Sequence, residues 1–154
     1  MSRESLDRQI HHIQEEILLL GSMVEQAILY ALDALKHRDP SLASRVIKDD
    51  QLINDRRYAI ENAILIVIAT QQPVAHDLRV MAAMLEINIE LERMGDYAKG
   101  IGQVVQRLDN VKITIPVDEL IDMGNKAVNM LHRSLHAFVR EDSNTANLII
   151  REDD

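Results

Sequence analysis

The sequence predicts an all-α chain of long packed helices, and three observations carry that prediction. Only 3% of the 154 residues are aromatic, with 5 Gly and 3 Pro, while Ala, Leu, Ile, Met, Glu and Arg abound, a usage that favours helix over strand. Val80, Met84, Ile87, Leu91, Met94, Ala98, Ile101, Val105 and Leu108 step by four and three, as an unbroken apolar seam on one helix does. The end of the chain also repeats its beginning: Leu20 to Asp50 aligns without a gap on Met123 to Asp153. Identities fall at Gly21 and Gly124, Leu32 and Leu135, Ala34 and Ala137, Asp39 and Asp142, Ala43 and Ala146, Ile47 and Ile150, Asp50 and Asp153. The inter-helix turn recurs inside the match, which favours a true repeat over chance likeness of two amphipathic helices.

The first helix starts at Leu6 and carries Ile10, Ile13, Ile17, Leu20, Val24, Ala27, Ala31 and Leu35 on one side. It ends before His37-Arg38-Asp39-Pro40, where Asp39 can cap the next helix and Pro40 can occupy its first turn, a position that needs no amide hydrogen. So short a turn makes the two helices antiparallel neighbours. The second helix turns Leu42, Val46, Ile53, Ile60, Ile64 and Val67 inward as far as about Thr70, with Asp50, Asn54, Arg57 and Glu61 as a polar row beside them. Gln71-Gln72-Pro73 breaks the pattern, since the residue before a proline disfavours the helical region. The third helix, which bears the seam, runs from near Pro73 to Leu108. Each helix has about 30 residues and so spans about 45 Å.

Asp109 to Pro116 reads as a connector. A fourth helix from about Val117 points Leu120, Gly124, Ala127, Leu131, Leu135 and Phe138 inward, and a turn at Arg140-Glu141-Asp142 leads to a fifth. This spacing divides the chain into a three-helix bundle over residues 1–110 and the first one and a half helices of a second bundle over 117–154, with the third helix of that second unit absent. The apolar faces of helices four and five are then left for a continuing chain or another chain to cover.

A net charge of −8 argues against nucleic acid as a partner, because binding it needs Lys and Arg to displace phosphate counterions. With no cysteine there are no disulfides and no thiolate metal sites, so a bound metal has to rely on carboxylates, amides, carbonyls, water or histidine. The start of the chain has no basic-then-apolar secretory pattern, which makes the cytoplasm the expected location. The most apolar run, Ile64 to Ala69, is far shorter than the about 20 residues that cross a bilayer as a helix. No activated nucleophile, phosphate-cradling glycine loop or Glu-x-x-His motif is present, and the six histidines lack ligand spacing, so no enzyme is indicated.

About a hundred degrees round from the seam, Asn88, Glu92 and Asp96 stand one turn apart on a common side. Should the second helix turn Asp50 and Asn54 toward them, three carboxylates and an amide converge, and a multivalent cation is one way to relieve their repulsion. Acidic pairs four apart are also common on solvated helices, and Arg57, Arg93 and Lys99 are available as ordinary counter-charges. Gly95, Gly100 and Gly102 each cost about 1 kcal/mol relative to alanine inside a helix. Tight packing is the expected compensation at Gly100 and Gly102, and close approach of a neighbour or a ligand at Gly95.

The run from Gln72 to Ala98, QPVAHDLRVMAAMLEINIELERMGDYA, resembles the signature of the PhoU family of bacterial phosphate-signalling regulators. Pro73-Val74-Ala75, Asp77-Leu78-Arg79 and Leu91-Glu92-Arg93-Met94-Gly95-Asp96 carry the likeness, which extends over the whole chain and is strong again from Val46 to Asn54. The resemblance implies tandem three-helix units with E(D)xxxD motifs that hold metal on the bundle surface. Carried over, one motif is Glu92 and Asp96, and Asp50 and Asn54 form its second-helix counterpart, with Asn54 departing from the acidic form. Asp153 answers to Asp50 in the repeat. The implied metal is iron or zinc first, magnesium or manganese next, with no organic cofactor. The implied function is that of a cytoplasmic, homodimeric negative regulator of the phosphate-starvation response. It would couple a phosphate ABC transporter to a sensor histidine kinase by docking and reach the membrane only through those partners. Two other readings compete: a metal-free helical adaptor or oligomerisation bundle, and a histidine phosphotransfer domain.

Overall fold

A computed structural model describes residues 3–153. Five helices follow one another, α1 (Arg3–His37), α2 (Pro40–Gln71), α3 (Ala75–Arg107), α4 (Val117–Val139) and α5 (Ser143–Glu152), and no strand occurs among the described residues. The turns are those the sequence predicts. Asp39 accepts hydrogen bonds from the Ser41 and Leu42 amides at 2.9 and 3.0 Å, satisfying donors that the first turn of α2 leaves unpaired. Its repeat counterpart Asp142 accepts from the Thr145 amide at 3.0 Å at the start of α5. The residues just before these caps, Arg38 and Glu141, both take the left-handed backbone, with φ of 47° and 53°. Arg38 also pins the 109–116 connector, donating to the Val111 and Ile113 carbonyl oxygens at 2.7 and 2.5 Å.

α1 is the central rod and packs on α2, α3 and α4. Its best 18-residue window has a mean hydropathy of 1.5, so α1, rather than the 64–69 run, is the stretch long and apolar enough to cross a membrane by composition. The fold accounts for that composition: Ile13, Ile17, Leu20 and Val24 are buried toward α2 and α3, while Gly21 and Leu32 are buried against α4. A main core of Ile17, Leu20, Ile60, Ile64, Met81, Met84 and Leu91 runs between α1, α2 and α3.

α4 meets α1 through two reciprocal contacts. A Leu135 methyl lies against Gly21, and Leu32 lies against Gly124. Each contact is the other with its two helices exchanged across the repeat, so α1 and α4 cross antiparallel about a local pseudo-twofold axis. A glycine under a leucine on both sides brings the two backbones close.

The seam of α3 is rotated from its expected position. Met84, Leu91, Ala98 and Val105 are buried as expected, but the row is completed by Met81, Asn88, Gly95 and Gly102. Val80, Ile87, Met94, Ile101 and Leu108 flank it, half-buried. The cause is α2, which comes so close that only small side chains fit beneath it. A Cβ on Gly102 would sit 3.1 Å from the Ala43 carbonyl oxygen, and one on Gly95 would sit 3.2 Å from Ile53. Gly100 has nothing within 4 Å of that position, so the packing expected there is absent.

Candidate metal and docking surface

The α2–α3 seam carries the acidic residues singled out above. Asp50 is only 4% exposed and therefore part of the packed interface, a correction to its place in a polar row beside the inward-facing residues. Its carboxylate accepts from Lys99 Nζ at 2.9 Å and from Asn54 Nδ2 at 3.1 Å. A buried carboxylate needs such partners, because an unpaired charge cannot be left in a low-dielectric interior. Gly95 contributes by letting α3 approach: the Cβ it lacks would lie 3.8 Å from Asp50 Oδ1.

Glu92 and Asp96 lie on the neighbouring flank of α3, one turn apart. The Glu92 carboxyl is held above the ordinary range, first by burial, then by the Asp96 charge and hydrogen bond, with Asp50 adding and Arg57 opposing. The Lys99 ammonium is held protonated to higher pH by its hydrogen bond to Asp50, then by the Asp50 charge, with Asp96 and Glu92 adding. Asp50, Asn54, Glu92 and Asp96 thus share one electrostatic neighbourhood, with Lys99 between the carboxylates.

Asn88 does not share the exposed row. It is 1% exposed, donates to the Arg57 carbonyl oxygen at 2.9 Å, and leaves its own Oδ1 buried without a partner, as does Arg57 Nε. Of the three expected counter-charges, Lys99 serves the seam directly. Arg57 pairs with Glu61 at 2.8 Å and acts on Glu92 at longer range, while Arg93 turns away to Glu90 at 2.9 Å.

Asp153 is not brought to this seam. It is exposed and borders a different groove of about 700 Å³, with Glu86 and Glu90 on one wall and the apolar faces of α4 and α5 on the other. Glu90 and Glu92, two positions apart on α3, project to different flanks. A second apolar groove of about 840 Å³ runs on from it between α1, α3 and α4, walled by Leu32, Ile101, Val104, Leu120 and Met123. Ala127 lies in this opening, exposed, although its place in the heptad pattern puts it inward.

The donors at the seam are all oxygen, the set that hard cations prefer, and the Glu92 carboxyl is raised by burial first and by the neighbouring Asp96 second. Their geometry is not that of a metal cage: among the described residues no three His, Asp or Glu side chains gather around one point. Asp50 is committed to Lys99. The residues therefore fit a metal in chemistry, on condition that the Lys99 ammonium gives up Asp50. His132, bonded to Glu25 at 3.2 Å, and His76, bonded to Glu141 at 2.9 Å, lie elsewhere and join α4–α5 to the first three helices.

Long helices joined pairwise, with an acidic seam between two of them, define the class as a helical-bundle protein. The PhoU domain matches residues 6–105, and the chain belongs to the PhoU family. It is 36% identical over its whole length to the phosphate-specific transport system accessory protein PhoU homolog of Clostridium acetobutylicum, of which it spans 71%. It is 34% identical over 145 residues to the phosphate-specific transport system accessory protein PhoU of Escherichia coli, of which it spans 60%. The crystal structure of the phosphate transport system regulatory protein PhoU from Streptococcus pneumoniae superposes with a TM-score of 0.89 at 30% identity, over 96% of this chain and 70% of that one. PhoU from Pseudomonas aeruginosa gives the same score at 27% identity. The chain is thus related to accessory proteins of phosphate transport.

Proposed function

We propose that the chain is a cytoplasmic negative regulator of the phosphate-starvation response that works by docking between a phosphate ABC transporter and a sensor histidine kinase, as a pair of identical chains and without turnover. The observation that carries this reading is the α2–α3 seam, where Asp50 is buried under Lys99 beside the crowded Glu92 and Asp96. Asp50 is buried while Lys99 is 35% exposed, so the pair reaches the bundle surface, where a partner or an ion can meet it. Family membership supplies the phosphate context.

In this reading Asp50, Asn54, Glu92 and Asp96 hold a metal ion, iron or zinc before magnesium or manganese, and Lys99 is its competitor for the Asp50 carboxylate. Bound metal would fix the carboxylates as one rigid recognition surface. Titration calorimetry with each metal, on the wild type and on Lys99→Gln, tests the competition. The variant is expected to bind about tenfold more tightly, equivalent to about 1.4 kcal/mol. Glu92→Gln with Asp96→Asn is expected to abolish binding and to release a phosphate-responsive reporter from repression. Undetectable metal in both the wild type and Lys99→Gln, with repression intact in the double variant, removes the metal and leaves the helical adaptor.

A further inference from the structure

The structure revises one point of the sequence reading, that no histidines are spaced as ligands. His132 and His136 stand one turn apart on α4, both exposed, with ring centroids 4.5 Å apart and ring planes inclined by 49°. Four residues is the interval at which one face of a helix offers two imidazoles to a zinc ion. Across the α1–α4 contact Glu25 reaches His132, its oxygen 3.2 Å from Nδ1, and only 19% of the Glu25 side chain is exposed. An ionised carboxylate has nothing to donate, so Nδ1 carries the hydrogen of that bond and, in the neutral ring, Nε2 keeps its lone pair. A carboxylate placed behind the ring in this way is what fixes the tautomer and direction of metal-binding histidines. Neither ring nitrogen of His136 has a hydrogen-bond partner among the described residues.

The repeat supplies an internal control. Glu25, Leu29 and Asp33 on α1 answer to Val128, His132 and His136 on α4. Exchanging the two helices turns the Glu25–His132 pair into Val128 with Leu29, so the antiparallel crossing does not depend on a histidine facing a glutamate.

We propose that His132 and His136 form a clasp for one zinc ion, or for copper(II) or nickel(II) of the same borderline class, with Glu25 as the positioning residue and water at the remaining coordination positions. Imidazole suits these metals, whereas magnesium, calcium and manganese prefer oxygen donors. Zinc holds imidazole nitrogens at about 2.0–2.1 Å. His136, exposed and unbonded, is able to turn toward His132 Nε2 and complete that arrangement. Arg133, the adjacent cation in sequence, is neutralised by Glu152 through hydrogen bonds of 2.6 and 2.8 Å. A bound ion draws electron density from the His132 ring and strengthens its bond to Glu25, so it also fastens α4 to α1.

This clasp is independent of the α2–α3 seam, and the two are told apart by titrating zinc into Glu92→Gln with Asp96→Asn, where the seam has lost two carboxylates. Calorimetry on that chain is expected to show one zinc bound and no response to magnesium. Adding His136→Ala is expected to take zinc binding below detection, and adding Glu25→Gln instead to weaken it about tenfold, each with an unchanged circular dichroism spectrum. In the wild type, zinc is expected to shift the ring-proton resonances of His132 and His136 and to leave those of the other histidines in place. Zinc binding that is absent from the seam variant, that survives His136→Ala, or that shifts only other histidines overturns the clasp and leaves the seam reading as it stands. An affinity indifferent to Glu25→Gln overturns the positioning role of Glu25.

Discussion

Residues 20–50 and 123–153 share a sequence pattern, yet matched side chains have different fates. Ala43 is fully buried and Ala146 only half; Ile47 is half-buried and Ile150 is 67% exposed; Asp50 is 4% exposed and Asp153 is open to solvent. The difference is α3. It lies over the α1–α2 pair, turning an apolar stripe into a core and an edge carboxylate into an interface group, while the face of α4–α5 in the same register borders an open groove. A two-helix pattern fixes which side is apolar, but the third helix decides what becomes interior. Asp50 tolerates burial because the helix that buries it also delivers Lys99.

The contrast is broken most directly in the cores. Leu20, fully buried between α1, α2 and α3, is expected to cost about 3 kcal/mol as Leu20→Ala, lowering the midpoint of thermal unfolding by roughly 6–12 °C for a chain of this size. Ile150→Ala is expected to stay within about 0.5 kcal/mol. Urea unfolding of the two variants measures this, and similar losses would mean that α4–α5 has a core as closed as that of α1–α3.

Much of this was legible in the sequence. The five helices, their turns, the Asp39 cap and the family could be read from periodicity, Pro40 and the 72–98 run, because short-range chemistry fixes them. The rotation of α3 was not, because a seam chosen by side-chain size skips glycine and asparagine. Asn88, Gly95 and Gly102 are spaced by sevens, and that row was the available sign of a close neighbour. For the site, spacing brought Asp50, Asn54, Glu92 and Asp96 to one pair of helices. It could not show that Lys99 holds Asp50 or that Asp153 borders another groove, since both depend on how far helices lean toward one another.

The glycines sharpen the comparison at a smaller scale, because Gly100 and Gly102 are two residues apart on one helix and face opposite conditions. Alanine is intrinsically better than glycine in a helix by about 1 kcal/mol, and at Gly100 nothing opposes that gain. Gly100→Ala is expected to stabilise the fold by about that amount. At Gly102 the new methyl meets a backbone carbonyl at 3.1 Å and Ile47 at 3.3 Å, and a carbonyl held in a helix cannot swing aside. Gly102→Ala is expected to lose about 1–2 kcal/mol, as overpacked sites do. Chemical denaturation of the pair gives both signs, and equal shifts would mean that α2 does not press on α3.

The smallest effect separates two glutamates. Burial and Asp96 raise the Glu92 carboxyl, so its folded form holds a proton at pH values where the unfolded chain has lost it. That contribution to stability is present below the ordinary carboxyl value of about 4.3 and is lost as pH rises through the higher folded value. Glu152 behaves in the opposite sense. Arg133 lowers it, so its contribution is present above the unfolded value and lost as pH falls through the folded one. Asp96→Asn removes the second cause at Glu92 and leaves burial, so Glu92 is expected to fall part of the way back. Arg133→Gln removes the main cause at Glu152, which is expected to rise. Carbon-13 titration of the side-chain carboxyls reads both shifts. Opposite movements mean that carboxylates crowd at the α2–α3 seam and are separately neutralised on α4–α5; a Glu92 indifferent to Asp96 would leave burial alone to explain it and take the crowding argument from the seam.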